Sequence, residues 1–127
     1  MRLTPYVSVD ETPFSIGRNE LLAARGAPGR TARNDVGLDE MDYGSVVFRF
    51  QDNARLEEIT QQAPVLHLGS IAIPFAALER FVRDQDPEMF ERAGFIVSPR
   101  FGVAFDPQCP SWVTALAVHC IDTWRAL

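Results

Sequence analysis

The fold is decided by residues 43–60, YGSVVFRFQDNARLEEIT, which carry the clearest pattern in the chain. Val46, Phe48 and Phe50 fall on one side of an extended backbone, and this period-2 alternation predicts a strand with one buried face. The polar residues 51–54 predict a turn, and residues 55–60 predict a second strand in which Leu56 and Ile59 face opposite sides. Together, the two runs predict an antiparallel β-hairpin.

Shorter strands are predicted on both sides of this hairpin. Apolar and β-branched residues indicate strands at 4–9, at 95–98 and at 101–105. The run 64–73 is interrupted by Gly69-Ser70, and it predicts either two short strand pieces or one bulged strand. The segment 27–41 has no such pattern. It is predicted to be a long polar loop, of the kind that often binds a partner.

Four helices are predicted from apolar spacing and end signals. The first, at 19–25, has Asn19 as its N-cap and ends at Gly26, and the second covers 75–83 after Pro74. A short third helix is predicted at 88–92. The last helix begins at Ser111 and runs for about four turns. Its apolar face carries Val113, Leu116, Ala117, Cys120 and Trp124.

These elements predict an α+β fold. The strands are amphipathic, whereas a doubly wound parallel sheet needs strands that are apolar throughout, so we expect a mostly antiparallel sheet with helices packed on one face. A chain of 127 residues suits a single domain. Within it, residues 14–60 would form a helix-hairpin module, and residues 65–127 would complete the sheet and add the C-terminal helix.

The charge balance excludes several classes of partner. All 12 basic residues are Arg, 17 residues are acidic, and the formal net charge is −5. Nucleic acids and anionic membranes attract positive potential, so we expect neither as a partner, whereas a basic protein surface is compatible with this charge. We find no secretory signal and no apolar run of membrane-spanning length, and we interpret Cys109 and Cys120 as reduced thiols. We therefore expect a cytoplasmic protein.

No spacing typical of a catalytic or metal site appears in the sequence. His67 and His119 lie in none of the patterns that bind zinc, and there is no Gly-x-Ser-x-Gly motif. His119 and Cys120 are adjacent, and on the predicted helix their side chains would diverge by about 100°. We expect no catalytic residue, metal or cofactor. A pocket near His67 or His119 remains the alternative.

An acidic cluster is the best candidate for a binding surface. Asp35, Asp39, Glu40 and Asp42 lie within eight residues and precede Tyr43. Their spacing does not match an EF-hand loop, and a polar loop does not supply the apolar pocket that a catalytic carboxylate needs. We predict that these carboxylates attract a basic partner protein and that Tyr43 or Met41 acts as an anchor. An ordinary solvated loop is the alternative.

Residues 14–60 resemble a known protein-binding module. The small-lipoprotein (BamE/SmpA-like) α+β module has a short helix, a Gly-x-Pro turn and a hairpin. The similar residues here are FSIGRNEL at 14–21, Gly26-Ala27-Pro28, Asn34, Gly37, Tyr43 and the Phe48-x-Phe50 strand. The resemblance implies protein binding. It does not imply anchoring to the outer membrane, because no cysteine of the lipidated type lies near residue 1.

The whole chain also resembles the small acidic immunity proteins that are encoded beside type VI secretion effectors in Gram-negative bacteria. The similarity lies in its size, its acidity and the WVTALA segment at 112–117. This resemblance implies a non-enzymatic cytoplasmic protein that neutralises a cognate toxin by binding and occluding it, without a cofactor. The alternative is a small ligand-binding or enzymatic α+β domain with a pocket near His67 or His119.

Overall fold

The computed structural model describes all residues from Met1 to Leu127, which form 13 strands and three helices. The helices are α1 (Arg18–Arg25), α2 (Phe75–Gln85) and α3 (Cys120–Arg125). The strands are β1 (Arg2–Thr4), β2 (Ser8–Val9), β3 (Thr12–Pro13), β4 (Arg30–Arg33), β5 (Asp39–Asp42), β6 (Val46–Phe50), β7 (Leu56–Gln62), β8 (Val65–Leu68), β9 (Ile71–Pro74), β10 (Phe90–Arg92), β11 (Phe95–Ser98), β12 (Val103–Phe105) and β13 (Trp112–Leu116).

The strands form two sheets. The larger sheet has eight strands in the order β10-β11-β12-β13-β7-β6-β5-β4, and every neighbouring pair in it is antiparallel. The smaller sheet has the order β3-β2-β1-β8-β9, in which β1 and β8 are parallel. The predicted α+β class is confirmed, with two sheets in place of the one expected. The packing of helices on one face of a sheet stays a prediction.

One main core joins the two sheets. It contains 19 buried residues, among them Leu66 from the smaller sheet and Phe48 and Phe105 from the larger one. Helix α1 contributes Leu21 and helix α2 contributes Leu78. Because α1, α2 and both sheets bury apolar side chains in the same cluster, the hydrophobic effect stabilises them as one unit.

The hairpin predicted at 43–60 is confirmed as β6 and β7, with one irregularity. The register of the pair shifts between Arg49 and Phe50, so that Glu57 is an extra residue in a β-bulge next to the turn. The extra residue resets the alternation of β7. As a result, Leu56 and Ile59 both lie in the main core, and the prediction that they face opposite sides is wrong.

Residues 27–41 are not the loop that the sequence predicted. They contain β4 and β5, which pair antiparallel through four residue pairs. The Asn34 side chain shapes the turn between them, since it accepts the N–H of Val36 at 3.1 Å and the N–H of Leu38 at 2.8 Å. All four residues of β4 are exposed, so no apolar alternation marks this strand in the sequence.

The predicted C-terminal helix is wrong over most of its length. Trp112–Leu116 is β13, an inner strand between β12 and β7, and only Cys120–Arg125 is helical. Val113–Leu116 are all buried, and a strand covered on both faces has a continuous apolar run that periodicity cannot distinguish from a buried helix. Ser111 has a φ of +68°, unlike the extended backbone of an N-cap.

Three shorter predictions also change. Strand β10 replaces the helix expected at 88–92, and a turn between β1 and β2 interrupts the strand expected at 4–9. Helix α1 begins earlier than expected, with Gly17 as N-cap in place of Asn19, and the Glu20 carboxylate accepts the Gly17 N–H at 3.0 Å. Of the two alternatives for 64–73, the structure has two separate strands, β8 and β9, and the helix after Pro74 is confirmed.

Candidate functional site

Three side chains that can bind a metal ion or exchange protons converge beside α3. Glu57 lies in the bulge of β7, and His119 and Cys120 lie at the start of α3. A carboxylate oxygen, an imidazole nitrogen and the thiol sulfur all lie within 4.8 Å of one another. Glu57 and Cys120 are buried, whereas the His119 side chain keeps 30% of its surface exposed. The cluster therefore meets solvent at His119.

Backbone hydrogen bonds position this cluster. The carbonyl oxygen of Glu57 accepts the N–H of Ala117 at 2.9 Å, directly beyond the last residue pair of β7 and β13. The carbonyl oxygen of Ala117 then accepts the N–H of Cys120 at 3.0 Å, at the turn into α3. Because β7 and β13 are inner strands of the larger sheet, Glu57, His119 and Cys120 are attached to well-supported backbone.

Glu57 is at the centre of the side-chain contacts. Its Oε2 atom accepts a hydrogen bond from the Cys120 thiol at 3.0 Å and also contacts Nε2 of His119. Its Oε1 atom accepts a hydrogen bond from Nε of Arg55 at 3.3 Å. Both oxygens of this buried carboxylate therefore have polar partners, as burial of a charge requires.

The surroundings keep Cys120 and His119 uncharged. Burial raises the pKa of the Cys120 thiol, and the Glu57 carboxylate raises this pKa further. Burial also lowers the pKa of His119 and outweighs the opposite effect of the Glu57 carboxylate. A cysteine nucleophile needs a stabilised thiolate beside a base, and a thiol that donates its proton to a carboxylate does not meet that requirement.

The convergence of His119 and Cys120 is not visible in the sequence, because the local pattern predicts both residues on one helix, where their side chains would diverge. In the structure His119 is the N-cap of α3, ahead of its first turn, so the two neighbouring side chains both reach Glu57. The other histidine, His67, is exposed on β8 in the smaller sheet, and Cys109 is exposed ahead of β13. Only knowledge that β7 pairs with β13 would have brought the three side chains together.

Two of the predicted partner-binding carboxylates form ion pairs within the chain. Asp39 bridges Arg18 and Arg33, with N–O distances of 3.2 Å to each. Glu40 pairs with Arg49 at 2.6 Å, and both side chains of that pair are mostly buried. These two carboxylates therefore stabilise the β4–β5 hairpin and its attachment to β6 and α1.

The other three predicted partner-binding residues differ in the hydrogen bonds that they form within the chain. The Asp42 carboxylate accepts the N–H of Gly44 at 2.8 Å. The Tyr43 hydroxyl donates to the carbonyl oxygen of Gly26 at 2.9 Å. Asp35 is exposed in the turn between β4 and β5 and is the one carboxylate of the set without an internal hydrogen bond or ion pair. The structure thus places all five residues on one hairpin and its continuation.

A polar groove lies on the face of the larger sheet opposite the main core. Arg49 contacts both Glu40 and Glu58, and Nε1 of Trp124 donates to Glu58 at 3.0 Å. Burial raises the pKa of Glu58 and outweighs the lowering by Arg49 and Trp124. The groove has a volume of about 490 Å³ and is lined by Asn34, Glu40, Arg49, Glu58, Thr60, Phe95, Asp106, Cys109, Trp112, Thr114 and Trp124.

The chain matches no protein-family model, and comparisons with curated proteins and with solved structures give no significant match. None of the three helices has the length and apolar character needed to cross a membrane. Function is therefore inferred from the chemistry and geometry of the residues themselves.

Proposed function

We propose that this chain is a non-enzymatic binding protein of the cytoplasm, an immunity protein that neutralises a cognate type VI secretion toxin by covering its active site. The observation that carries this proposal is the β4–β5 hairpin at one end of the larger sheet. β4 is the last strand of the sheet, and all four of its residues are exposed. An exposed edge strand presents both backbone groups and side chains to a partner.

The turn of this hairpin has the properties of a docking point. Val36 is 63% exposed and adjoins the exposed carboxylate of Asp35. The hydrogen bonds that the Asn34 side chain accepts from the turn backbone fix the shape of the turn, so less conformational entropy is lost on binding. A fixed apolar side chain beside a carboxylate fits a partner whose apolar pocket is bordered by basic residues.

The ion pairs refine the predicted binding set. The charges of Asp39 and Glu40 are balanced by neighbouring Arg side chains, whereas Asp35 and Asp42 form no ion pair. These two carboxylates create the negative electrostatic potential that attracts a basic partner. Tyr43 directly follows Asp42 at the end of the hairpin away from Asp35, and provides an aromatic anchor there.

Asp35→Arg tests the role of the hairpin in partner binding. The side chain is exposed and unpaired, so folding should be unaffected. Loss of steering should slow association with the toxin on the order of tenfold at low ionic strength, and the effect should shrink as salt is added. Association rates measured by stopped-flow mixing or on a biosensor surface would show this.

The matched control is Glu11→Arg, which makes the same charge change at an exposed acidic residue between β2 and β3 of the smaller sheet. It should leave the association rate close to that of the wild type. Equal slowing by both variants would mean that overall charge, not the hairpin, sets the rate. No slowing by Asp35→Arg would remove the turn from the interface.

The immunity function itself is tested by growth. Bacteria that express the protein encoded beside this chain should stop growing, and co-expression of this chain should restore growth. The two proteins should also co-purify as a complex. Growth arrest that persists when folded chain is present in excess would contradict the proposed function.

A second candidate function is favoured by the convergence of Glu57, His119 and Cys120. In this alternative the chain is a small ligand-binding or enzymatic domain whose site lies at His119 and not at His67. His119→Ala should then abolish ligand binding or turnover, whereas it should leave toxin neutralisation intact if the hairpin is the functional surface. Full toxin neutralisation by His119→Ala would therefore favour the immunity function.

A further inference from the structure

We propose that Glu57, His119 and Cys120 form a binding site for a divalent metal ion of the zinc class. The proposal does not depend on the hairpin or on the toxin. A carboxylate oxygen, an imidazole nitrogen and a cysteine sulfur are the three donor types that zinc takes from proteins. All three types are present here, within 4.8 Å of one another.

Two of the donor-atom contacts, both to Oε2 of Glu57, are shorter than the spacing between ligands of one tetrahedral ion. With zinc–ligand bonds of about 2.0–2.3 Å, two ligands of the same ion lie roughly 3.3–3.6 Å apart. The Cys120 sulfur lies 3.0 Å from Oε2 of Glu57, and the imidazole of His119 contacts the same oxygen. Side-chain rotations that move the Cys120 sulfur and the His119 ring away from Oε2 of Glu57 to these spacings would place the ion between the three atoms.

The carboxylate is already oriented for this role. Arg55 donates to Oε1 of Glu57, which leaves Oε2 directed toward His119 and Cys120. A hydrogen bond to the carboxylate oxygen that does not bind the metal is typical of metal sites, where it fixes the orientation of the ligand and tunes its basicity. The backbone bond between the Glu57 carbonyl and Ala117 holds the two chain segments of the site together.

The donor set balances the charge of a divalent ion. In the metal-bound form the Glu57 carboxylate and the Cys120 thiolate carry two negative charges, and the His119 imidazole is neutral. The thiol proton passes to solvent, so one proton leaves for each ion bound. A balanced set of charges is far easier to bury than an isolated ion.

Sulfur and nitrogen donors also define the class of metal. Calcium and magnesium prefer oxygen ligands, whereas a thiolate with an imidazole selects zinc and similar transition metals. Three protein ligands leave a fourth position, and the partly exposed His119 places that position toward solvent. Water would occupy it in an open three-ligand site.

Metal titration of the full-length chain, first stripped of metal with a chelator, tests the proposal. Zn²⁺ should bind at one ion per chain, measured by calorimetry. Co²⁺ should give the thiolate-to-cobalt charge-transfer absorption that reports a cysteine ligand. Cys120→Ala should abolish that absorption. Cys120→Ala and His119→Ala should each weaken Zn²⁺ binding by at least about 100-fold, because loss of a ligand costs more affinity than loss of a hydrogen bond to a ligand usually does.

The chain supplies a matched control for each of these ligands. Cys109→Ala and His67→Ala remove the other cysteine and the other histidine, both exposed, and should leave affinity and absorption unchanged. Circular dichroism checks the fold of every variant. If Cys120→Ala does not fold, the Zn²⁺ affinity of His119→Ala tests the proposal, because the His119 side chain is partly exposed and its truncation should leave the fold intact. No stoichiometric binding by the wild type, or binding lost with Cys109 or His67, would overturn the proposal.

Discussion

At the scale of single residues, Asp10 shows how one side chain connects the two sheets. It follows β2 of the smaller sheet, and its carboxylate accepts the N–H of Arg2 at 2.7 Å and the side-chain amide of Gln61, on β7 of the larger sheet, at 2.9 Å. Burial raises the pKa of Asp10, but these hydrogen bonds to the charged form outweigh burial, and the pKa lies below its ordinary value of 3.8.

Asp10→Asn should remove this charge without disturbing the backbone, because Asn tolerates the left-handed φ of +49° at this position. We expect the free energy of unfolding at neutral pH to fall by about 1 kcal/mol or less, since solvent screens a partly exposed carboxylate. A lowered native pKa stabilises the fold above the unfolded pKa of 3.8, and this contribution disappears as the pH falls through the native pKa.

Urea denaturation of wild type and Asp10→Asn at two pH values measures this contribution. The two proteins should differ at neutral pH, and the difference should shrink as the pH falls through the native pKa of Asp10 and the wild-type carboxyl becomes protonated. An equal difference in the free energy of unfolding at both pH values would show that the charge of the Asp10 carboxylate has no role in joining the sheets.

At the scale of elements, the two turns around β11 differ in how closely they are packed. Gly102, in the turn between β11 and β12, has a φ of +63°, and a Cβ atom there would lie 3.0 Å from the ring of Tyr6. Gly94, between β10 and β11, has a φ of +83° and open space around the same position. The hydroxyl of Tyr6 donates to the carbonyl oxygen of Pro99, so its ring is held against the turn.

Gly102→Ala should therefore destabilise the protein more than Gly94→Ala. Both substitutions place a side chain in left-handed backbone, at a cost of roughly 1–2 kcal/mol. Gly102→Ala must also displace the Tyr6 ring, which adds roughly 1–3 kcal/mol of overpacking. Thermal melting of the two variants measures the difference. Equal melting temperatures would mean that displacing the Tyr6 ring does not lower the stability of the protein.

The elements also show which parts of the fold can be predicted from sequence. Strands with one buried face, such as β6, carry an alternating pattern and were predicted correctly. Strand β13 is buried on both faces and β4 on neither, so each lacks that alternation, and the sequence wrongly predicts a helix at β13 and a loop at β4. The cluster at Glu57 depends on the pairing of β7 with β13, which no local pattern encodes.

At the scale of the whole molecule, shared burial makes the two sheets interdependent. The main core takes side chains from both sheets and from α1 and α2, and a smaller cluster of six buried residues, which includes Cys120 and Ile121, packs around α3. Trp124 of α3 packs edge-on against Phe95 of β11 with 5.3 Å between ring centroids. We therefore expect α3 to unfold together with the core.

Leu78→Ala tests this cooperativity at a distance from the tryptophans. Leu78 is buried in the main core on α2, so its truncation should lower the free energy of unfolding by about 2–5 kcal/mol. Tryptophan fluorescence and far-ultraviolet circular dichroism should shift to the same denaturant midpoint. The control Val118→Ala, at a 68% exposed side chain, should change stability by no more than about 0.5 kcal/mol. Separate midpoints would show that α3 unfolds alone.

The β-bulge at Glu57 has a consequence for redesign of the protein. Because Glu57 is the extra residue of the bulge, Leu56 and Ile59 both pack in the core and Glu57 takes no part in it. The side chain at position 57 alone therefore determines which chemical group contacts His119 and Cys120. An amide or a second imidazole at position 57 would change the donor set and leave the core side chains in place. Deleting the residue would instead restore a regular strand in which Leu56 and Ile59 lie two positions apart and still face the core, so that the donor site is removed while the core side chains keep their side of the sheet.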